Sequence, residues 1–243
     1  MILREMSTTY GRSPGGYLWA VLEPVLAIML LSVVFALAFR APSLGDSFVL
    51  FYATGYLPYM LWLDVSNKVA ASVRFSRPLL SFRPVTFIDA ILARFILNVL
   101  THLVVSATVL IGIHIIYAPV GLFDGLQVLN AYAMAGALAM GAGTLNCYLF
   151  SAFPAYERLW QIATRPLFIL SGVIFVFEDV PAAYQGYLWI NPLFHVTGEM
   201  RAGIYPTYEA AFVSPAFVYS LSIALFLLGL AFLRQYSDEI IHK

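Results

Sequence analysis

The stretch VFEDVPAAYQGYLWINPLFHVTGEMRAGIYP, residues 176–206, decides the fold because of the apolar run that precedes it. Residues 166–177 give only twelve apolar positions, or about 18 Å of helix at 1.5 Å per residue. Adding residues 162–165 lengthens this run to roughly 24 Å, which is still short of a hydrocarbon core about 30 Å thick. The segment that follows must therefore complete the crossing or fill the gap.

Residues 178–206 fit two short amphipathic helices joined by a break. Asp179 can cap the first helix, Asn191 can cap a second helix begun by Pro192, and Gly203 can end that second helix. The first helix carries an apolar stripe made by Val180, Tyr184, Tyr187 and Leu188. Because backbone at membrane depth must be satisfied internally or be buried in protein, we expect a re-entrant hairpin at the outer mouth.

The aromatic side chains of this hairpin have two interpretations. They could form the interfacial belt expected at any membrane face, or they could line an exit for a transported molecule. The aromatic candidates are Tyr184, Tyr187, Trp189 and Phe194. His195, Glu199 and Arg201 would then act as gate or hairpin-locking groups.

The rest of the chain reads as an all-α membrane protein. Of its 243 residues, 61% are hydrophobic and 11% charged, against roughly 25% charged in soluble domains. Thirteen basic and thirteen acidic side chains cancel, so no global field indicates a nucleic-acid partner. Six segments approach the length of a membrane span: residues 18–39, 48–70, 90–117, 129–153, 162–178 and 212–233.

Lysine and arginine are distributed unevenly between the two sides that these six spans define. Only Arg40 and Arg201 fall on the side opposite the termini, and the positive-inside rule therefore places both termini in the cytoplasm. The basic residues on the side of the termini, or at span ends facing it, are Arg4, Arg12, Lys68, Arg74, Arg77, Arg83, Arg94, Arg158, Arg165, Arg234 and Lys243.

Residues 1–243 read as a single membrane domain, since neither a repeat nor a linker divides them. No G-x-x-x-x-G-K motif occurs, so energy from ATP would have to come from a partner.

The single cysteine, Cys147, excludes an internal disulfide and a cysteine metal site, and no metal ligands are assigned. Small residues in the fourth span, including Gly141 and Gly143, could pack within the bundle or at a dimer seam.

Two segments on the predicted cytoplasmic side have features expected of a surface that binds a partner. Residues 1–14 place Ile2, Met6 and Tyr10 on one face, which predicts a short amphipathic interface helix. Residues 74–89 form a loop in which Pro78 can begin one helical turn and Pro84 forbids its continuation. The apolar groups of that turn could form a docking surface or fold back onto the lipid interface.

Ionisable residues inside the spans cluster near their cytoplasmic ends. Asp64 and Lys68 are four residues apart and are expected to pair, while Glu23 could pair with Arg94 or Arg165. These groups could be structural ion pairs, or Arg94 and Arg165 could attract an anionic cargo. A polar stripe along the third span could line an aqueous path or form an interhelical network. It comprises Arg94, Asn98, His102 and Ser106.

Three stretches resemble ABC-2-type export permeases, most closely the inner-membrane subunit of Gram-negative capsular polysaccharide exporters. They are REMSTTYGRSPGGYLWAVLEP at residues 4–24, SRPLLSFRPVTFIDAILAR at 76–94 and SGVIFVFEDVPAAYQGYLWINPLFHVTGEMRAGIYP at 171–206. The resemblance implies a homodimer in the inner membrane that docks cytoplasmic ABC ATPase subunits, which bind ATP and Mg²⁺. It also implies a lipid-linked acidic polysaccharide as substrate, passed on to a periplasmic adaptor and an outer-membrane export protein.

By this resemblance, the ATPase contact would involve both cytoplasmic segments, at Arg4, Glu5, Arg74, Arg77, Leu79, Leu80 and Phe82. The substrate entrance and path would include Glu23, Arg94, Asn98, His102 and Arg165, where the polar stripe would form hydrogen bonds with a passing sugar. At the exit, the hairpin aromatics Tyr184, Tyr187, Trp189 and Phe194 would stack on sugar rings. Alternatives are the same architecture moving another glycan, such as O-antigen or teichoic acid, or a small drug. A passive channel or an ion-driven transporter is a rival from another class, as is an intramembrane enzyme, for which no H-E-x-x-H or G-x-S-x-G motif occurs.

Overall fold

The computed structural model describes residues 16–80, 86–117 and 123–242. Within these ranges the regular structure is helical throughout, which confirms the all-α expectation. The predicted interface helix at residues 1–14 lies outside the described residues. The helices are α1 (Gly16–Ala38), α2 (Phe48–Ala70), α3 (Ser72–Leu80), α4 (Phe87–Tyr117), α5 (Gly125–Ala152), α6 (Pro154–Leu170), α7 (Ala182–Trp189), α8 (Pro192–Ile204) and α9 (Pro215–His242), with a 3-10 turn at Phe177–Asp179.

Five helices in the described ranges are long and apolar enough to cross a membrane. The qualifying stretches are Leu18–Ala38, Phe48–Ala70, Phe87–Tyr117, Gly125–Ala152 and Pro215–Gln235. They match five of the six spans expected from the sequence. The chain is therefore a multi-pass membrane protein, since each such helix satisfies its own backbone in lipid.

The expected fifth span differs from the structure in its bounds. The prediction of a span over residues 162–178 was wrong in both bounds, because α6 begins at Pro154 and ends at Leu170. Gly172 then takes a φ of +71°, in the left-handed region that ends helices. A Cβ at this position would also lie 2.9 Å from the ring of Phe194, so tertiary packing selects glycine here.

The hairpin helices exist where the sequence predicts them, with one correction. Asn191 accepts a hydrogen bond from the Leu193 N–H at 3.1 Å, and Pro192 opens α8, as expected. Asp179, however, does not cap α7, because the residue preceding that helix is Pro181. Asp179 ends the 3-10 turn and accepts from the Val176 N–H at 3.3 Å. Its carboxylate closes the turn and leaves α7 without a side-chain cap.

The central helices are α2 and α5, which pack against each other and carry most of the buried side chains. Helix α9 packs along α5, whereas α8 packs against both α2 and α5. Gly143 lets α2 approach, since a Cβ there would lie 2.7 Å from Val69. Gly141 meets the backbone of Ser222 on α9. These small residues of the fourth span therefore pack within the chain.

Helices α1 and α4 lie on the periphery and flank α2. Most of the apolar side chains of α1 are exposed, which suits contact with lipid or with another membrane helix. Helix α3 follows α2 directly, since it begins at Ser72 and ends at Leu80. The expectation that Pro78 opens a single turn was wrong, because the helix starts six residues earlier and Pro78 lies in its last turn.

Candidate functional site

The hairpin formed by α7 and α8 is attached to the bundle by several buried polar groups, one of which is a guanidinium. Arg201 on α8 is 1% exposed and donates to the carbonyls of Phe175 at 2.8 Å and Val173 at 3.1 Å. Its guanidinium also lies 4.2 Å above the ring of Phe51 on α2. Residues 171–176 are irregular, so their carbonyls need donors from elsewhere. Arg201 supplies these donors and fixes the segment after α6 onto α2.

His195 joins the break between the hairpin helices to the segment before α9. The side chain is buried, and its Nε2 lies 2.7 Å from the carbonyl oxygen of Trp189. The Ser214 N–H donates to Nδ1 at 3.0 Å. A ring that donates through Nε2 and accepts through Nδ1 is a neutral imidazole. His195 therefore acts here as a structural link between α7, α8 and α9.

Glu199 belongs to a polar network that the sequence analysis did not identify. The Asn130 amide on α5 donates to Glu199 Oε1 at 2.7 Å, and the Tyr219 hydroxyl on α9 donates to Asn130 Oδ1 at 2.8 Å. One asparagine thus links three helices. The available signal was an isolated asparagine in an apolar span, which needs partners on neighbouring helices.

The four hairpin aromatics divide into two groups. Tyr184 and Tyr187 on α7 are 62% and 76% exposed, and Trp189 is partly exposed while its ring stacks on Phe217 at 5.1 Å. Phe194 is only 1% exposed and packs against Phe177 at 5.8 Å. Its ring is therefore a core group of the hairpin and offers no face to a passing sugar. The role predicted for the other three aromatics stays a prediction.

A second polar cluster lies between α1, α2 and α4. His102 Nε2 lies 3.1 Å from Asp64 Oδ2, so the partner that Asp64 contacts across helices is a histidine on α4. The expected partner was Lys68, one turn along the same helix. Glu23 lines the same cavity of about 90 Å³ as Asp64 and His102. Glu23 thus faces this cluster, whereas the expected partners were Arg94 and Arg165.

The other residues of the expected entrance lie apart from this cavity. Arg94 is buried at the start of α4, where it donates to the carbonyl of Lys68 at 3.1 Å and lies 4.0 Å above the ring of Phe75. The Asn98 amide donates to the carbonyl of Arg94 at 2.7 Å. Arg165 is exposed on α6. Arg94 therefore anchors α4 to α2 and α3, and only Arg165 is openly accessible.

At the end of the bundle that carries α3, one ion pair connects α3 to α6. Arg74 donates through both terminal nitrogens to the two carboxylate oxygens of Glu157, at 2.9 Å each. Hydrogen bonding to Arg74 holds the pKa of Glu157 below its usual value. A bidentate pair fixes the relative orientation of the two helices. Sequence analysis selected Arg74 but gave no signal for its partner.

The structure describes only part of the predicted ATPase-contact set. Arg4, Glu5 and Phe82 fall outside the described residues. Residues 77, 79 and 80 belong to the last turns of α3, whose backbone is described. The helix therefore carries three of the predicted contact positions, Arg77, Leu79 and Leu80, together with Arg74.

The profile of the family described as "ABC-2 type transporter" matches residues 1–205. The chain belongs to the ABC-2 type transporter family. As an ABC-2 transporter chain, it is a membrane subunit and lies in a different class from the nucleotide-binding ATPases.

Relatives of this ABC-2 transporter match over nearly its whole length. It is 27% identical to the polysialic acid transport protein KpsM of Escherichia coli, over 99% of this chain and 93% of that protein. It is 31% identical to the capsule polysaccharide export inner-membrane protein CtrC of Neisseria meningitidis serogroup B, over 99% of this chain and 91% of that protein. The corresponding protein BexB of Haemophilus influenzae is 28% identical, with coverages of 99% and 91%.

The polar groups of this ABC-2 transporter suit binding and positioning. Among the described residues, no group of three or more His, Cys, Asp or Glu is arranged to hold a metal ion. The hairpin uses its buried polar groups to link helices, and its exposed face is aromatic. The end of the bundle that carries α3 presents an ion pair and a helix with two arginines.

Proposed function

We propose that this chain is the permease subunit of an ATP-driven exporter that moves a lipid-linked capsular polysaccharide across the inner membrane of a Gram-negative bacterium. The observation that carries the proposal is family membership together with near full-length similarity to capsule export proteins from three organisms. Because the matches cover 99% of this chain, the similarity includes the hairpin and the α3 segment.

The proposed topology has six crossings with both termini in the cytoplasm. Helix α6 and the irregular segment after it would form the fifth crossing, completed by a re-entrant hairpin over residues 178–206. This is supported by an apolar cleft of about 460 Å³ in which Leu188 and Leu193, near the α7–α8 break, face Leu138 on α5. Since Leu138 lies about 20 Å along α5 from Gly125, the break reaches towards the middle of the bundle. The positive-inside count supports the orientation.

Energy would come from cytoplasmic ABC ATPase subunits that bind ATP and Mg²⁺. The docking surface would comprise the interface helix at residues 1–14, including Arg4 and Glu5, and the segment 74–89 with Arg74, Arg77, Leu79, Leu80 and Phe82. Support comes from the Arg74–Glu157 pair, which sets the direction of α3 relative to α6. A rigidly oriented helix can transmit movement of the ATPase to the crossing that α6 begins.

Two copies of the single domain 1–243 would form the exporter. The cargo would leave past the exposed aromatics Tyr184, Tyr187 and Trp189, since aromatic faces bind the apolar faces of sugars. Arg165 would be the accessible basic group at the entrance. A periplasmic adaptor and an outer-membrane export protein would then carry the polymer onward.

The direct test is co-purification of the full chain from its own cells. We expect an ABC ATPase in the complex, and a bound glycolipid that mass spectrometry identifies as a polysaccharide on a lipid anchor. Recovery of the chain with neither an ATPase nor a glycolipid would contradict the proposal.

A further inference from the structure

A groove runs between α1 and α4, the two helices that flank α2. At one end lies the cavity lined by Glu23, Asp64 and His102. Further along both helices lies an apolar cleft of about 260 Å³, lined by α1 residues from Val21 to Met29 and α4 residues from Thr108 to Tyr117. The two spaces follow one another, because the residue numbers that line them rise on both helices from the cavity to the cleft. The groove is therefore polar at one end and apolar along the rest.

The polar end is rich in hydrogen-bond acceptors. It carries the carboxylates of Glu23 and Asp64, and the contact with His102 uses the Oδ2 oxygen of Asp64. Pro24 has no N–H to give to the carbonyl of Ala20, four residues earlier in α1, and both residues line this cavity. Such a set of acceptors matches a primary ammonium group, which has three N–H donors and one positive charge.

A basic group lies one turn further towards the cytoplasmic end proposed above. Lys68 follows Asp64 by four residues on α2, so the two side chains share a face of that helix. Lys68 lines neither space, so it lies beside the groove at its polar end, next to the two carboxylates and away from the apolar cleft. In a zwitterionic phospholipid the phosphate is bonded between the ammonium-bearing arm and the glycerol that carries the acyl chains. The ammonium can therefore reach the carboxylates while the phosphate faces Lys68 when the headgroup bends back beside the glycerol.

We propose that this groove binds one phosphatidylethanolamine molecule of the cytoplasmic leaflet. Its ammonium would contact Glu23 and Asp64, its phosphate would face Lys68, and an acyl chain would fill the apolar cleft beside Gly112. Phosphatidylcholine carries a positive charge without N–H donors, and phosphatidylglycerol carries no positive charge. The groove therefore selects for a primary amine. This lipid would fix the separation of α1 and α4, and its binding does not depend on the cargo.

Lipid binding by the purified full chain tests this proposal, with native mass spectrometry in the presence of each of the three phospholipids. We expect phosphatidylethanolamine to bind more tightly than the other two. Glu23→Gln should weaken its binding about tenfold, as expected for loss of one charged hydrogen bond. Glu23 is exposed, so this change leaves the core unaltered. Glu209→Gln, at an exposed acid in the segment before α9, is the control and should bind as the wild type does.

The apolar end has its own matched pair of variants. A Cβ at Gly112 would have nothing within 4 Å, so Gly112→Leu should fill the cleft without a clash and weaken phosphatidylethanolamine binding. Gly186 on α7 has equally open surroundings, and Gly186→Leu should leave binding unchanged. Equal binding of the three phospholipids, tighter binding of phosphatidylglycerol, or full binding by both groove variants would overturn the proposal. Because this assay needs no ATPase or polysaccharide, its failure is distinguishable from failure of the exporter function.

Discussion

Arg201 carries a charge in a position where water is excluded, so its contacts must offset a large desolvation cost. Two carbonyl oxygens and the face of Phe51 supply this compensation, while Nε has no hydrogen-bond partner among the described residues. Sequence analysis selected Arg201 as a hairpin-locking or gate residue. It could not identify the carbonyls that Arg201 binds, because backbone acceptors have no signature in the sequence. These contacts hold α8 against the segment after α6 and against α2, and the locking role itself stays a prediction.

At Arg201, a conservative change should be costly. We expect Arg201→Lys to lower the free energy of unfolding by about 1–3 kcal/mol, because lysine cannot reach both carbonyls and leaves one unsatisfied. Thermal unfolding of the detergent-solubilised chain measures this as a fall of several degrees. Arg40→Lys, at an exposed arginine after α1, serves as the control. If the two variants unfold at the same temperature, Arg201 does not hold the hairpin.

The Arg74–Glu157 pair should act on orientation more than on stability. Both side chains are partly exposed, so the pair is worth less than about 1 kcal/mol. Since the pKa of Glu157 is lowered in the folded chain, this small contribution is present above its ordinary value of 4.5 and is lost as pH falls through the lower value. Arg74→Glu should reduce ATPase co-purification at neutral pH, and Arg74→Glu combined with Glu157→Arg should restore it. Failure of the double variant to recover would show that ATPase binding does not depend on the helix orientation that this pair sets.

Among the helices, the sequence predicted those features that depend only on residues close together in the chain. The Asn191-Pro192 start of α8 needs only a cap and a fixed φ, and both were visible in the sequence. The end of α6 at Leu170 depends on Phe194 and Thr197 packing against Gly172, which are contacts across more than twenty residues. Likewise, α3 continues through Pro78, although proline usually interrupts a helix. Helix existence was therefore predictable, whereas these boundaries depended on tertiary contacts.

The exposed and buried aromatics of the hairpin should respond differently to substitution. Tyr184→Ala and Tyr187→Ala together should change the stability by less than about 1 kcal/mol, because both rings are exposed, and should reduce export. Phe194→Ala should cost about 3–5 kcal/mol because its ring is buried. Thermal unfolding and surface polysaccharide, measured on the same variants, separate these effects. Phe123→Ala, at an exposed aromatic just before α5, is the control. Normal export by the double tyrosine variant would show that these rings form only an interfacial belt.

At the scale of the whole molecule, orientation follows from charge placement and can be tested directly. With Cys147→Ala, a cysteine at Glu209 should react with a membrane-impermeant thiol reagent added to the periplasm of intact cells. A cysteine at Arg158 should react only after the inner membrane is permeabilised. Both positions are exposed, so burial does not explain a difference between them. The reverse pattern would place the termini outside and remove α3 from the cytoplasm.

We expect this ABC-2 transporter chain to export a lipid-linked capsular polysaccharide with energy from ATP. The most direct measurement is the fraction of that polysaccharide on the cell surface in a strain lacking its own copy of the chain. We expect the polymer to accumulate inside, to reach the surface when the chain is restored, and to remain inside when the partner ATPase cannot hydrolyse ATP. Surface polysaccharide that persists without ATP hydrolysis and disappears when the membrane potential is dissipated would contradict the account.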